Sequence, residues 1–199
     1  MIKTIIFDFG GIFSENLDSW NTMYKRIPEK TGLTAGELDE IFSKYWIEIS
    51  VGKRDFTDIL KMFVSKSKNK VTMEDLLRIY SSDTKINKDA LDILKDLKNK
   101  GFRIIILSNE SKTGEQIRLN RIKNFVDKIY SSAAIGLRKP DPQIFKYVLS
   151  KENLKADEAL FIDDRERNII VAEELGIRSI LYKNARQLKK DLRKYLNLQ

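Results

Sequence analysis

Residues 2–11 read Ile2-Lys3-Thr4-Ile5-Ile6-Phe7-Asp8-Phe9-Gly10-Gly11. A β-branched, nearly continuous apolar run of this kind suits a strand covered on both faces, and it predicts a strand over Ile2–Phe9. An acid stands at its end. Two glycines follow, and the lack of a Cβ lets backbone approach a ligand closely. Taken alone, Asp8 is as readily a turn or capping carboxylate as a reactive one.

The same pattern recurs downstream: a short apolar run, a polar turn, then a helical period. Strands are expected at Phe102–Ser108, Lys128–Ser131, Ala159–Asp163 and Ser179–Tyr182. Helices are expected at Lys88–Lys100, Gly114–Lys123, Pro142–Lys151, Arg167–Leu175 and Ala185–Leu196. Gly101 and Gly176 stand where two of these helices should stop, and Asp141-Pro142 is a good helix start. Alternating β and α units predict an α/β fold, a Rossmann-like parallel sheet sandwiched by helices.

Residues 16–85 break the alternation. They offer helical periods at Ser19–Lys30, Ala35–Ile49, Phe56–Ser67 and Thr72–Ser81 and no convincing strand. The division expected is therefore an α/β core from 1–15 and 86–199, with an all-helical cap subdomain at 16–85. Inserted after the first strand, that cap would stand over the sheet edge where open α/β sheets bind ligands. Phe42, Tyr45 and Trp46 recur at helical spacing there and read as packing within the helices.

Composition narrows the chemistry. The 199 residues contain no Cys and no His, which excludes thiolate nucleophiles, Ser-His-Asp triads and His- or Cys-ligated zinc. Carboxylates, lysine, hydroxyls and a hard cation are left. The net charge of +8 comes from basic residues scattered among acidic ones, as in Lys95-Asp96-Leu97-Lys98. That pattern is a solvated helix surface rather than a nucleic-acid patch. No apolar run is long enough for a signal or a membrane span, so the expected location is cytoplasmic.

Four segments put reactive groups directly after strands: Asp8 with Gly10 and Gly11; Ser108-Asn109; Arg138-Lys139-Pro140-Asp141-Pro142; and Asp163-Asp164. Adjacent carboxylates repel one another unless a cation compensates. Mg²⁺ suits the site better than Ca²⁺, because few protein carboxylates together with waters and a phosphate are its usual arrangement.

In this order the four segments resemble the motifs of the haloacid-dehalogenase-like hydrolase superfamily, over essentially the whole chain. The resemblance implies an aspartyl nucleophile at Asp8, transferring oxygens held by Ser108 and Lys139, and Mg²⁺ held by Asp8, the Gly10 carbonyl, Asp163 and Asp164. Gly11 and Asn109, with Lys53 and Arg54 from a break in the cap's helical pattern, are the candidates for substrate binding. The expected activity is a Mg²⁺-dependent phosphatase acting on a small phosphorylated metabolite, sugar phosphates included. The alternatives are a catalytically weak relative that only binds, or a 2-haloacid dehalogenase, against which the Asp163-Asp164 pair argues.

One position departs from the family pattern. Most phosphatases of this superfamily carry a second Asp two residues after the nucleophile, where it protonates the leaving oxygen; here Gly10 stands. The departure favours leaving groups that depart without a proton. Glu15, at the entrance to the cap, is a substitute candidate for the missing acid.

Overall fold

The computed structural model describes residues 1–14, 16–82 and 85–196, of which 16–23 by backbone alone. Glu15 therefore lies outside the described residues. Five parallel strands form one sheet: β1 (Thr4–Phe7), β2 (Arg103–Ser108), β3 (Lys128–Ser131), β4 (Ala159–Asp163) and β5 (Arg178–Leu181). Their spatial order is β3-β2-β1-β4-β5. The central strand β1 pairs with β2 on one side, Thr4 opposite Arg103, and with β4 on the other, Thr4 opposite Ala159.

The apolar run of β1 is continuous because both faces are covered. Ile5 and Phe7 point into one core with Ile104, Ile106, Leu160 and Ile162, closed by helices α5 (Lys88–Asn99) and α10 (Ala185–Leu196). Ile6 points the other way, with Ile105, Leu107 and Phe161, beneath α8 (Pro142–Lys151) and α9 (Glu166–Glu174). Each such fully buried side chain contributes roughly 1.5–3 kcal/mol. The observed strands are shorter than expected at β1 because Asp8 already leaves the ladder, although its N–H still donates to the Ile162 carbonyl at 2.8 Å.

The expected helix at Gly114–Lys123 is two pieces, α6 (Lys112–Ile117) and a 3-10 segment Leu119–Phe125, meeting at Arg118. At that break the Arg118 guanidinium pairs with buried Glu110. A further one-turn helix, α7 (Ser132–Ile135), follows β3 and was not evident from periodicity.

Between β1 and α5 stand four helices: α1 (Asn16–Thr31), α2 (Ala35–Ser50), α3 (Phe56–Lys66) and α4 (Met73–Ser82). Thr34 starts α2 with a capping box, its hydroxyl accepting from Glu37 N–H while the Glu37 carboxylate accepts from Thr34 N–H. The four share an apolar cluster of their own, with Ile27, Leu38, Ile41, Ile59, Leu60, Phe63 and Leu76 buried. The segments flanking this unit are tied together by an antiparallel bridge between Ser14 and Ile86, and Asn87 N–H donates to the Phe13 carbonyl at 2.8 Å.

A second tie joins the four helices to the sheet layer. Asp55 caps α3 by accepting from Thr57 N–H at 3.1 Å, and it also accepts from Thr113 N–H at 3.0 Å and from the Thr113 hydroxyl at the start of α6. Beside it Gly52 has φ of 73° and lies so close to the Ala133 carbonyl that a Cβ would overlap it. Gly52→Ala combines an αL alanine, costing about 1–3 kcal/mol, with that clash. Thermal melting should show a lower Tm by about 2–4 °C per kcal/mol lost for a chain of this size. An unchanged Tm would mean that the turn does not rest on Ala133.

Candidate active site

In an open parallel sheet the carboxyl ends of the strands part where the connections reverse direction, and this crevice is where ligands bind. Here the reversal lies at β1, whose neighbours β2 and β4 are reached on opposite sides. Asp8 follows β1, Ser108 ends β2, and Asp163 ends β4 with Asp164 next in the chain. With Lys139, from the turn before α8, the exposed parts of these segments line one cavity of about 480 Å³. Asp8, Gly10, Gly11, Ser108, Asn109, Lys139 and Asp164 all contribute to its wall. Asp163 lies behind it, fully buried.

Lys139 is the hub. Its ammonium, 1% exposed, stands 2.9 Å from Asp8 Oδ1 and 2.7 Å from Asp163 Oδ2. Burial alone would lower its pKa, but Asp163 and Asp8 outweigh burial and leave it above the usual lysine value. For Asp8 the balance goes the other way. Burial pushes its carboxyl up to about 6, against the pull of Lys139 and with Asp163 and Asp164 adding repulsion. Asp164 is also raised, by burial and by Asp163.

The lysine is aimed by its backbone. Asn109 Oδ1 accepts from Lys139 N–H at 2.8 Å, and Asn109 Nδ2 donates to the Lys139 carbonyl at 2.7 Å. The amide expected to touch substrate is thus engaged on both of its polar ends by the Lys139 peptide. Asn168 is a partner of Asp163 that helical periodicity does not mark. Its Nδ2 donates to both oxygens of Asp163 at 2.9 Å, while Arg165 N–H donates to Asp163 Oδ1 at 2.8 Å. An Asn four residues after an acidic pair, on the first turn of the following helix, is the signal that points to such a partner.

The donor set fits a hard cation. Carboxylate oxygens of Asp8, Asp163 and Asp164 lie within 4.8 Å of one another. Asp163 has its lone pairs occupied by Lys139, Asn168 and Arg165, so Asp8 and Asp164 hold the oxygens that remain available. Gly11, at φ of 71°, presses against Asp164 so closely that a Cβ would overlap Oδ2. That approach sets the Asp164 carboxylate against the β1 turn. An all-oxygen set of few carboxylates is the kind that Mg²⁺ takes.

Lys53 and Arg54 are not brought into the cavity. Lys53 is exposed on the α2–α3 turn, and Arg54 pairs with Glu48 at 2.5 Å while its guanidinium lies over the Tyr45 ring. That turn packs against Ala133 and Thr113 instead. The four-helix unit instead contributes Tyr24, Phe42 and Trp46, so two of the aromatics expected only to pack also line the cavity. Buried Tyr80 of α4 neighbours Arg118 and Ser111, and Arg118 pairs with Glu110 at 3.1 Å.

Among the described residues, no helix is long and apolar enough to cross a membrane.

Comparison with known proteins identifies the family of the fold. The family model described as haloacid dehalogenase-like hydrolase matches residues 5–182. The chain is 28% identical over 96% of its length to drimenol cyclase drtB of Aspergillus calidoustus, but it spans only 36% of that protein. It is 27% identical to the D-ribitol-5-phosphate phosphatase of Bacteroides thetaiotaomicron, over 99% of this chain and 100% of that one. A haloacid-dehalogenase-family enzyme of the same organism, solved with magnesium and inorganic phosphate, superimposes with a TM-score of 0.70 at 23% identity, over 92% of this chain and 95% of its own. From the strand-end carboxylates to the family match, the chain belongs to the haloacid dehalogenase-like hydrolases.

Proposed function

We propose that the chain is a Mg²⁺-dependent phosphatase that cleaves a small phosphorylated metabolite through a phosphorylated Asp8. The observation that carries this is the meeting of Asp8, Ser108, Lys139 and Asp164 in one cavity at the sheet's reversal point. The relative named a ribitol-phosphate phosphatase, matched over its full length, supports a sugar phosphate as the substrate class.

In this account Asp8 attacks phosphorus in line, an O–P bond forms to its carboxylate, and the bond from phosphorus to the leaving oxygen breaks. The alkoxide takes its proton from water, since Gly10 offers no acid. Water then attacks the acyl phosphate, releasing inorganic phosphate and a proton and restoring the carboxylate. Lys139 holds Asp8 in place and, with Ser108, stabilises the charge on the transferring oxygens. Asp163 orients Lys139. Mg²⁺, held by Asp8, the Gly10 carbonyl and Asp164, with Asp163 at most through water, would supply charge neutralisation of nucleophile and phosphate. Residues 16–85 would act as a cap, their Tyr24, Phe42 and Trp46 contacting the rest of the substrate.

The test is a panel of phosphorylated metabolites and p-nitrophenyl phosphate, assayed with and without Mg²⁺. Turnover of at least one substrate should appear with Mg²⁺ and disappear with EDTA. Chloride release from 2-chloropropionate without metal, with no phosphate release from the panel, would replace the proposal with a dehalogenase.

A further inference from the structure

Three acids and five cations line the cavity among the described residues, and they do not match one another. Lys139 is held by Asp8 and Asp163, and Arg118 by Glu110. Arg138, Arg165 and Lys183 make no ion pair within 4.0 Å in the described structure. Arg138 Nε is also buried without a hydrogen-bond partner.

Arg138 stands where its surroundings oppose its charge. Arg138 is pushed below the usual arginine value by burial first, then by the neighbouring charges of Arg167 and Arg165. Arg165 is the N-cap residue of the nine-residue α9, without a capping side-chain bond, and Arg167 lies in its first turn. Cations are disfavoured at that end of a helix, where the dipole is already positive. Glu166, exposed between Arg165 and Arg167, is the one acid of that first turn, and the cavity acid Asp164 is among the groups available to a metal. Cations that line a cavity without an ion pair of their own are available to a bound anion, and charges left unmatched in this way cluster at binding sites.

We propose that the substrate carries a second oxyanion besides the phosphoryl group attacked, a carboxylate or a further phosphoryl, and that it seats against Arg138 and Arg165 with Arg167 behind them. This rests on the phosphatase proposal and names its substrate class. The anchor lies on the α/β layer, on the turns after α7 and β4, so it would hold the second anion at a fixed distance from Asp8 whatever the four-helix unit does. Lys183, on the same wall, widens the positive field that draws in a multiply charged substrate.

The experiment is calorimetric binding at fixed free Mg²⁺, using phosphonates whose P–C bond Asp8 does not cleave. Ethyl-, propyl- and butylphosphonate are compared with phosphonoacetate, 3-phosphonopropionate and 4-phosphonobutyrate, and with ethane-1,2-diphosphonate. At least one doubly anionic ligand should bind 10-fold or more tighter than its matched alkylphosphonate. Preference for the carboxylate or the diphosphonate arm identifies the second group. The ratio should fall towards one in Arg138→Gln and, because Arg138 adjoins Lys139, also in the surface variant Arg167→Gln. Equal affinities in the wild type, or a ratio that neither variant lowers, overturns the inference. Absence of any Mg²⁺-dependent binding, alkylphosphonates included, overturns the phosphatase proposal instead.

Discussion

Asp8→Asn should abolish phosphate release while leaving the protein as stable as before. An amide oxygen is a far poorer nucleophile than a carboxylate, and loss of a covalent nucleophile costs on the order of 10³–10⁶ in kcat. The stability half of the expectation follows from the site's electrostatics. Asp8 is buried, and burial pushes its carboxyl up to about 6. An acid whose folded pKa lies above its unfolded one favours folding fully only below the unfolded value, and that contribution is lost as pH rises through the folded pKa. At neutral pH the ionised Asp8 is therefore a strained group, and the isosteric neutral amide relieves it, while Lys139 keeps its 2.7 Å partner Asp163. Metal-free melting curves at pH 7.5 should place the variant's Tm at or above that of the wild type. A clearly lower Tm would mean that the Lys139–Asp8 pair is a net structural support; full turnover would remove Asp8 from the chemistry.

Much of this arrangement is legible along the chain because strand, turn and helix here are local events. Lys128–Ser131, Ala159–Asp163, Pro142–Lys151 and Ala185–Leu196 have the same limits in periodicity and in structure. Asp141-Pro142 starts α8 as expected, with Asp141 accepting from Gln143 N–H at 2.9 Å. Residues that end strands of one parallel sheet must gather at one edge, so Asp8, Ser108 and Asp163-Asp164 converge once the sheet exists; Lys139, expected directly after a strand, instead reaches them from the turn before α8, with α7 between it and β3. What periodicity does not carry is the partner of each side chain. Arg118 reads as one more basic residue on a helix, yet Glu110, eight residues earlier, draws it inward and the helix breaks there. Lys53 and Arg54 read as cations at a break in the cap's pattern, but neither lines the cavity: Arg54 pairs with Glu48, and Gly52 beside them is pressed onto Ala133. Asn109 reads as a substrate contact, whereas its amide faces a peptide 30 residues away that no local signal marks. The scattered positive charge looks like solvated helix surface, and only the folding of turns 138 and 165 onto one wall turns part of it into a concentrated field.

Gly10→Asp should raise turnover of alkyl phosphates by about 10-fold or more, within the 10²–10⁴ that general acid catalysis supplies when well placed. The backbone permits the change. Gly10 lies outside the positive-φ region, and a Cβ there would meet nothing nearer than Asp8 Oδ2 at 3.8 Å, an ordinary contact. Gly11 is the contrasting case, since its φ and the Asp164 carboxylate both forbid a side chain. A carboxyl on residue 10 would stand beside Asp8, and the like charge favours its protonated form, the one that donates a proton. The gain should be selective. An alkoxide must be protonated as it leaves, whereas p-nitrophenolate departs as a stable anion, so the ratio of alkyl to p-nitrophenyl turnover is the informative quantity. It should rise in Gly10→Asp and stay at the wild-type value in Gly10→Asn, which has the same shape without the transferable proton. An equal change on both substrates would mean that the new side chain alters binding rather than protonation. A fall in both, with Mg²⁺ affinity intact, would show that this site reaches its rate by a route in which residue 10 has no part beyond its carbonyl.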